Sequence, residues 1–128
     1  MNIQKIVVKF QDGSLMKGES TDFLPEKKYF YLKRLEGGTK KIDVETLKAV
    51  FFVKDFVGNK DHKKIYKDVL PWGGQKIRVE FNDGEIITGY TSSFSTGKYG
   101  FFITPADTSG NNEKIFALNT AVKEKAFV

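Results

Sequence analysis

One stretch occurs twice in this chain: Lys5-Ile-Val-Val-Lys-Phe-Gln-Asp-Gly-Ser-Leu-Met-Lys-Gly18 returns, 71 positions later, as Lys76-Ile-Arg-Val-Glu-Phe-Asn-Asp-Gly-Glu-Ile-Ile-Thr-Gly89. Seven of the fourteen positions are identical, and from Lys5 to Leu32 the copies share ten identities in 28 positions. What they share is what a β-hairpin needs: alternating apolar residues, an Asp-Gly turn and a glycine in the returning strand. The sequence therefore predicts an internal structural repeat.

Each copy is predicted to contain five short strands. The first strand alternates, with Ile6, Val8 and Phe10 on one face, and a period of two is typical of a strand with one buried face. Gly18 and Gly89 predict a bulge or sharp bend of the kind that curls a small sheet. The strands are predicted at about 5–10, 15–23, 29–33, 41–44 and 48–53, and at 76–81, 86–94, 100–104, 114–118 and 122–128. The expected fold is all-β, with two tandem five-stranded barrels.

The predicted domains are a first barrel at 1–54, a linker at 55–75 and a second barrel at 76–128. The linker combines a charged run, 59–64, with large apolar residues that include Trp72, so we expect it to be partly ordered against a barrel. The last strand of the first barrel does not alternate, which predicts a strand covered on both faces by the second barrel, the linker or another subunit. It is a candidate partner interface, made of Val50, Phe51, Phe52 and Val53.

Composition excludes several kinds of site. The 128 residues include no Cys and a single His, so disulfides, thiolate metal sites and His-pair zinc motifs are excluded. No activated nucleophile or phosphate-cradling loop is visible, and we expect neither a cofactor nor a metal, and no enzymatic activity. No apolar run approaches the length of a membrane span, and we expect a cytoplasmic protein with no membrane partner.

The positive charge is concentrated in the first copy. Residues 1–54 contain 11 Lys and Arg against 7 Asp and Glu, whereas residues 76–128 contain 6 of each. A basic half favours acidic partners such as nucleic acid or an acidic protein surface, and it also keeps a small domain soluble. Both interpretations stay open at this point.

The order of these features resembles the Sm-like branch of the SH3-like barrels: a hydrophobic strand, Asp-Gly, a glycine-bent second strand, an aromatic third strand and two short strands joined by a corner. Two further segments look like signatures of a bacterial family of unknown function built from paired modules, namely Lys48-Ala-Val-Phe-Phe-Val-Lys-Asp-Phe56 and Pro105-Ala-Asp followed by Asn111-Asn-Glu-Lys-Ile-Phe116. The resemblance implies paired small barrels and carries no established activity.

The nucleic-acid site of Sm proteins is not reproduced. That family grips bases with an Asp and an Asn after the bent strand and with Arg-Gly or Lys-Gly before the last strand. Asp22 matches the first position, but no Asn follows at the expected spacing, and Ser93 stands at the corresponding position of the second copy. The cyclic-dinucleotide site of PilZ-type barrels, which uses paired arginines, has no counterpart either, because the chain contains only Arg34 and Arg78.

The strongest candidate surface is a set of cations that bracket the third and fourth strands of the first copy, with two interleaved tyrosines. Such a combination is typical of proteins that bind single-stranded nucleic acid. The alternative interpretation is a solvated lysine-rich edge that prevents aggregation between sheets. The set consists of Lys27, Lys28, Tyr29, Tyr31, Lys33, Arg34, Lys40 and Lys41.

Other candidates are weaker. Asp12 and Asp83 precede glycine and are predicted to be turn residues rather than a catalytic pair. A minor candidate site is the tripeptide Asn111, Asn112 and Glu113, which suits the tip of a hairpin. The predicted function is a non-enzymatic binding module that contacts another protein in a bacterial regulatory or signalling setting, or that forms a homodimer. The alternative is binding of RNA or other single-stranded nucleic acid through the basic hairpin.

Overall fold

A computed structural model describes residues 3–54, 75–91, 98–105 and 112–128. These residues form ten strands and two one-turn 3-10 helices, Val44–Thr46 and Asn119–Ala121, so the predicted all-β class is confirmed. Within the described residues, no helix is long and apolar enough to cross a bilayer. The strands are β1 (Gln4–Phe10), β2 (Leu15–Ser20), β3 (Tyr29–Arg34), β4 (Thr39–Asp43), β5 (Leu47–Val53), β6 (Gln75–Phe81), β7 (Ile86–Thr91), β8 (Gly100–Pro105), β9 (Asn112–Leu118) and β10 (Val122–Phe127).

The ten strands form one antiparallel sheet in the order β10-β6-β7-β8-β9-β5-β1-β2-β3-β4. The sheet is open, with β10 and β4 as its outermost strands, so the expected closure into two five-stranded barrels is not shown. The reason lies at β5, which pairs with β1 on one side and with β9 of the other half on its second side. A linker is predicted at 55–75, and residues 55–74 of it lie outside the described residues.

The two halves pair their strands in equivalent registers. Each of the six residue pairs between β1 and β2 has its counterpart, 71 positions later, between β6 and β7. The predicted Asp-Gly turns are confirmed, because Gly13 and Gly84 have φ of 93° and 92°. Asp12 and Asp83 each accept a hydrogen bond from the backbone N–H two residues on, at 2.8 and 2.9 Å. These carboxylates therefore act as turn residues, as their position before glycine predicts.

Two glycines allow the strands to approach closely. Gly18 on β2 pairs with Arg34 on β3, and a Cβ at position 18 would lie 2.3 Å from the carbonyl oxygen of Lys33. A Cβ on Gly89 would lie 2.4 Å from the carbonyl oxygen of Thr104. No side chain fits at such distances, so glycine is required at both places.

The sheet encloses two hydrophobic cores, one for each half. The first contains Ile6, Val8, Phe30, Leu32 and Ile42 among others, and the second contains their counterparts around Ile77, Val79, Phe81, Phe101 and Ile103. Strand β5 serves both, because Val50 and Phe52 lie in the first core and Ala49, Phe51 and Val53 in the second. This explains why β5 does not alternate in polarity: each of its faces covers a different core.

Candidate functional site

The hairpin made by β3 and β4 presents a mixed aromatic and basic face. Phe30 and Leu32 of β3 are buried in the first core, so the residues of β3 that alternate with them point outward. Tyr29 and Tyr31 are 37% and 52% exposed. Lys33 follows on the same face, and Lys41 of β4 lies directly opposite Tyr31 in the register. We call Tyr29, Tyr31, Lys33 and Lys41 the tyrosine-lysine face.

Cation–π contacts preorganise part of this face. The ammonium of Lys41 lies 4.2 Å from the centroid of the Tyr29 ring, and that of Lys28 lies 5.4 Å from the same centroid. A hydrogen bond with the Tyr29 side chain, supported by the charges of that side chain and of Glu45 and Asp43, raises the pKa of Lys28. The Lys28 ammonium therefore stays charged at neutral pH beside an exposed aromatic ring.

The structure brings together five of the eight predicted residues and separates three. Lys28 and the tyrosine-lysine face form one surface. Lys40 pairs with Leu32 and so alternates to the other side of β4, although it is exposed. The guanidinium of Arg34 donates to the carbonyl of Gly37 in the hairpin turn at 3.1 Å, and Lys27 lies 3.9 Å from the carboxylate of Asp22.

A cavity of about 480 Å³ opens beside the tyrosine-lysine face. Tyr31, Lys33 and Thr39 line one side, and the segment from Glu19 to Asp22 lines the other. Asp22 accepts a hydrogen bond from the backbone N–H of Tyr31 at 3.1 Å and another from the Ser20 hydroxyl at 3.1 Å. Its carboxylate thus fixes the start of β3 and forms the acidic wall of the cavity.

The other predicted candidates lie elsewhere. Val50, Phe51, Phe52 and Val53 lie in the middle of the sheet, buried between β1 and β9, and the second half of the same chain accounts for their burial. Asn111 lies outside the described residues. Asn112 and Glu113 begin β9, where Asn112 pairs with Val53, and their side chains lie outside the described part of the structure.

Sequence reasoning missed an ion cluster between the halves. Lys48 of β5 is buried, and its ammonium contacts the Asp83 carboxylate at 2.6 Å and the Glu85 carboxylate, above the Phe81 ring. Burial opposes the charged form of Lys48, but the two carboxylates outweigh it and raise its pKa. The hydrogen bond from Lys48, followed by that from the Glu85 backbone, lowers the pKa of Asp83. The sequence feature that could have revealed this cluster is Lys48, a single charged residue in the otherwise apolar strand β5.

This cluster joins the two halves of the chain. Lys48 lies at the β-bulge where β5 shifts register against β1, which turns its side chain toward the β6–β7 turn. Nearby, the side-chain amide of Gln11 donates to Thr120 of the second half at 3.2 Å. These contacts hold the turn of one half against the corner of the other.

Comparisons with known proteins add one finding. Residues 2–128 match the profile described as "Family of unknown function (DUF6982)". Neither the curated proteins nor the solved structures contain a match.

Proposed function

The chain belongs to the DUF6982 family of unknown function, and from that starting point we propose that it is a non-enzymatic module that binds another protein through the β3–β4 hairpin. The observation that carries the proposal is the tyrosine-lysine face: two exposed tyrosines and two lysines lie on one surface formed by β3 and by β4, an outermost strand of the sheet.

Exposed tyrosine is well suited to protein recognition. A tyrosine ring supplies a large contact area at low entropic cost, and an adjacent cation gives orientation to an acidic partner. In the second half, Phe102 stands where Tyr31 stands in the first, and its ring packs 4.9 Å from that of Phe116, centroid to centroid. The first half thus leaves free a position that the second half uses for packing.

We also propose that the two halves are related to Sm-like barrels. Each half contributes five strands and most of one core, which supports two Sm-like units that share the β5–β9 pairing instead of closing separately. We further propose that the module acts in the cytoplasm, in bacterial regulation or signalling.

Single-stranded nucleic acid is the second candidate ligand. The specific observation in its favour is that Tyr29 and Tyr31 share one face with Lys33 and Lys41, as stacking rings and phosphate contacts do in single-strand binders. The acidic wall formed by Glu19 and Asp22 opposes it, because carboxylates beside the tyrosines repel phosphates.

Photo-crosslinking in the native host tests the proposal. A benzophenone amino acid replaces Tyr31, and the same probe at the exposed Ile86 serves as the matched control. We expect a nuclease-resistant crosslink to a different protein at position 31 that is absent at position 86 and is lost in the charge-reversal variant Lys33→Glu, Lys41→Glu. A double variant with the same change in charge, Lys98→Glu, Lys123→Glu, should retain it.

The remaining outcomes are also decisive. A nuclease-sensitive crosslink, together with oligonucleotide binding that weakens steeply with salt, would favour the nucleic-acid function. Equal crosslinking at positions 31 and 86, or none at either, would contradict the hairpin as a binding surface.

A further inference from the structure

The two halves of the chain already show how one edge of this sheet receives another strand. β5 of the first half pairs antiparallel with β9 of the second, and the register places Val50 opposite Phe116 and Ala49 opposite Ala117. Apolar residues therefore face each other across this seam, on both sides of the sheet.

The strands equivalent to β5 and β9 in the other half of the chain lie at the two ends of the sheet. Val8 pairs with Val50 in the first half and Val79 pairs with Lys125 in the second, so β10 is the counterpart of β5, with an offset of 75 positions. The pairs of Tyr29 with Asp43 and of Gly100 with Leu118 show in the same way that β4 is the counterpart of β9. Among the described strands, β10 and β4 are the ones with an unpaired side.

Suppose that β10 of one copy of the chain paired with β4 of another copy in the register of β5 and β9. The residues that would face each other are unfavourable pairs. Lys125 of one copy replaces Val50, and Lys41 of the other replaces Phe116, so two ammonium groups would lie directly opposite each other. Glu124 would face Ile42 in place of the pair of alanines. Like charges directly opposite in adjacent strands destabilise the pairing, and lysine on an edge is a known guard against addition of strands.

We infer that the free β4 edge is a docking edge for an extended acidic segment of another protein, added antiparallel in the register of β5 on β9, and that Lys41 excludes β10 of a second copy. The inference deepens the proposed function and rests on it. An acidic residue opposite Lys41 would replace repulsion by attraction, and main-chain hydrogen bonds along the five residues of β4 would supply affinity. Tyr31, across the pair from Lys41, flanks the same position.

The charge requirement can be tested with the chain as its own ligand. Lys125→Glu makes β10 an acidic strand, and Lys41→Glu reverses the receiving edge instead. We expect each single variant to self-associate, with half-association at about a tenfold lower concentration than the wild type. The double variant, Lys41→Glu with Lys125→Glu, restores like charges and should return to the behaviour of the wild type. Analytical ultracentrifugation over a concentration series measures this.

A matched control keeps net charge out of the result. Lys123→Glu changes the charge of β10 by the same amount two positions from Lys125, and in the transferred register it does not face Lys41, so it should behave as the wild type. Equal association in all variants, association of the double variant as strong as that of the single ones, or association that follows net charge alone would overturn the inference.

A peptide pair tests the partner directly. The probes are two synthetic peptides with the sequence of β5, one with Glu and one with Lys at the place of Val50. We expect the Glu peptide to shift the backbone NMR signals of residues 39–43 at about a tenfold lower concentration than the Lys peptide, with the preference reversed in Lys41→Glu. Equal shifts, or shifts outside β4, would overturn edge docking. If edge docking failed in this way, a crosslink from position 31 to another protein would show that the tyrosine-lysine face binds a partner without strand addition.

Discussion

Strands β5 and β10 hold equivalent places in the two halves, yet their chemistry is opposite. All seven residues of β5 are buried, whereas five of the six residues of β10 are exposed. Both pair with the first strand of their own half, and they differ in having a neighbour on the second side: β9 covers β5, and no described strand covers β10. A strand of this sheet can therefore be apolar when it has neighbours on both sides, whatever its place in the repeat.

Exchanging the residues at this equivalent position should have the largest effect. Val50→Lys places an unpaired charge in the first core, so we expect a loss of more than about 4 kcal/mol in the free energy of unfolding. Lys125→Val, at the exposed counterpart, should change it by less than about 0.5 kcal/mol in dilute solution. Chemical denaturation followed by circular dichroism measures both. Similar losses in the two variants would mean that β10 is covered as β5 is.

The glycine pair should show where the halves are alike. Gly18→Ala and Gly89→Ala each drive a methyl group against a backbone carbonyl, and we expect a similar loss of about 3 kcal/mol from both. Gly13→Ala is the control for the cost of a positive φ alone, because nothing lies within 4 Å of its Cβ, and it should lose about 1 kcal/mol. A clear difference between the first two variants would contradict the equivalence of the two bends. Thermal melts provide the measurement.

Lys48 of β5 and Lys123 of β10 hold equivalent positions, and replacing them should have intermediate and small effects. Lys48→Met removes the ion cluster with Asp83 and Glu85 and should cost about 2 kcal/mol at neutral pH. Lys123→Met, at the equivalent position, breaks only a 3.7 Å contact between exposed Lys123 and Glu80 and should cost less than about 0.5 kcal/mol.

The pH dependence of the Lys48 effect follows from the two pKa shifts. The pKa of Asp83 is lowered from 3.8 in the folded state, so its contribution is present above 3.8 and is lost as the pH falls through the folded pKa. The pKa of Lys48 is raised above 10.5, so its contribution is present below 10.5 and is lost as the pH rises through the folded pKa. The difference in melting temperature between wild type and Lys48→Met should therefore shrink at both extremes of pH. A constant difference would exclude the ion cluster as its cause.

The smallest effect on stability is expected at Tyr31. Its ring is 52% exposed, so Tyr31→Ala should change the free energy of unfolding by less than about 0.5 kcal/mol, although it should weaken partner binding. Phe102→Ala, at the equivalent position, removes contacts with the rings of Phe52 and Phe116 and should cost about 1 to 2 kcal/mol. If Tyr31→Ala proved as destabilising as Phe102→Ala, the tyrosine would be a packing residue and the tyrosine-lysine face would lose its support.

Much of the local structure could be predicted. Alternation at Ile6, Val8 and Phe10 marked the buried face of β1, and the Asp-Gly pairs marked the turns, because these features depend on neighbours within a few residues. The lack of alternation in Val50–Val53 correctly indicated cover on both faces, including cover by the second half. The sequence predicted the basic hairpin but not which of its residues share one face. Lys40 lies on the other side of β4 through strand alternation, and Arg34 is held by a contact with the hairpin turn.

The amino-acid sequence alone determined the all-β class, the strand positions and the Asp-Gly turns, since each is set by side-chain period and backbone preference within one hairpin. The tertiary structure alone decided that β5 pairs with β9, that the sheet stays open at β4 and β10, and that Lys48 meets Asp83. Strand edges carry the same N–H and C=O groups whatever their side chains, so the choice of neighbour is made by the burial and charge that two distant segments bring together.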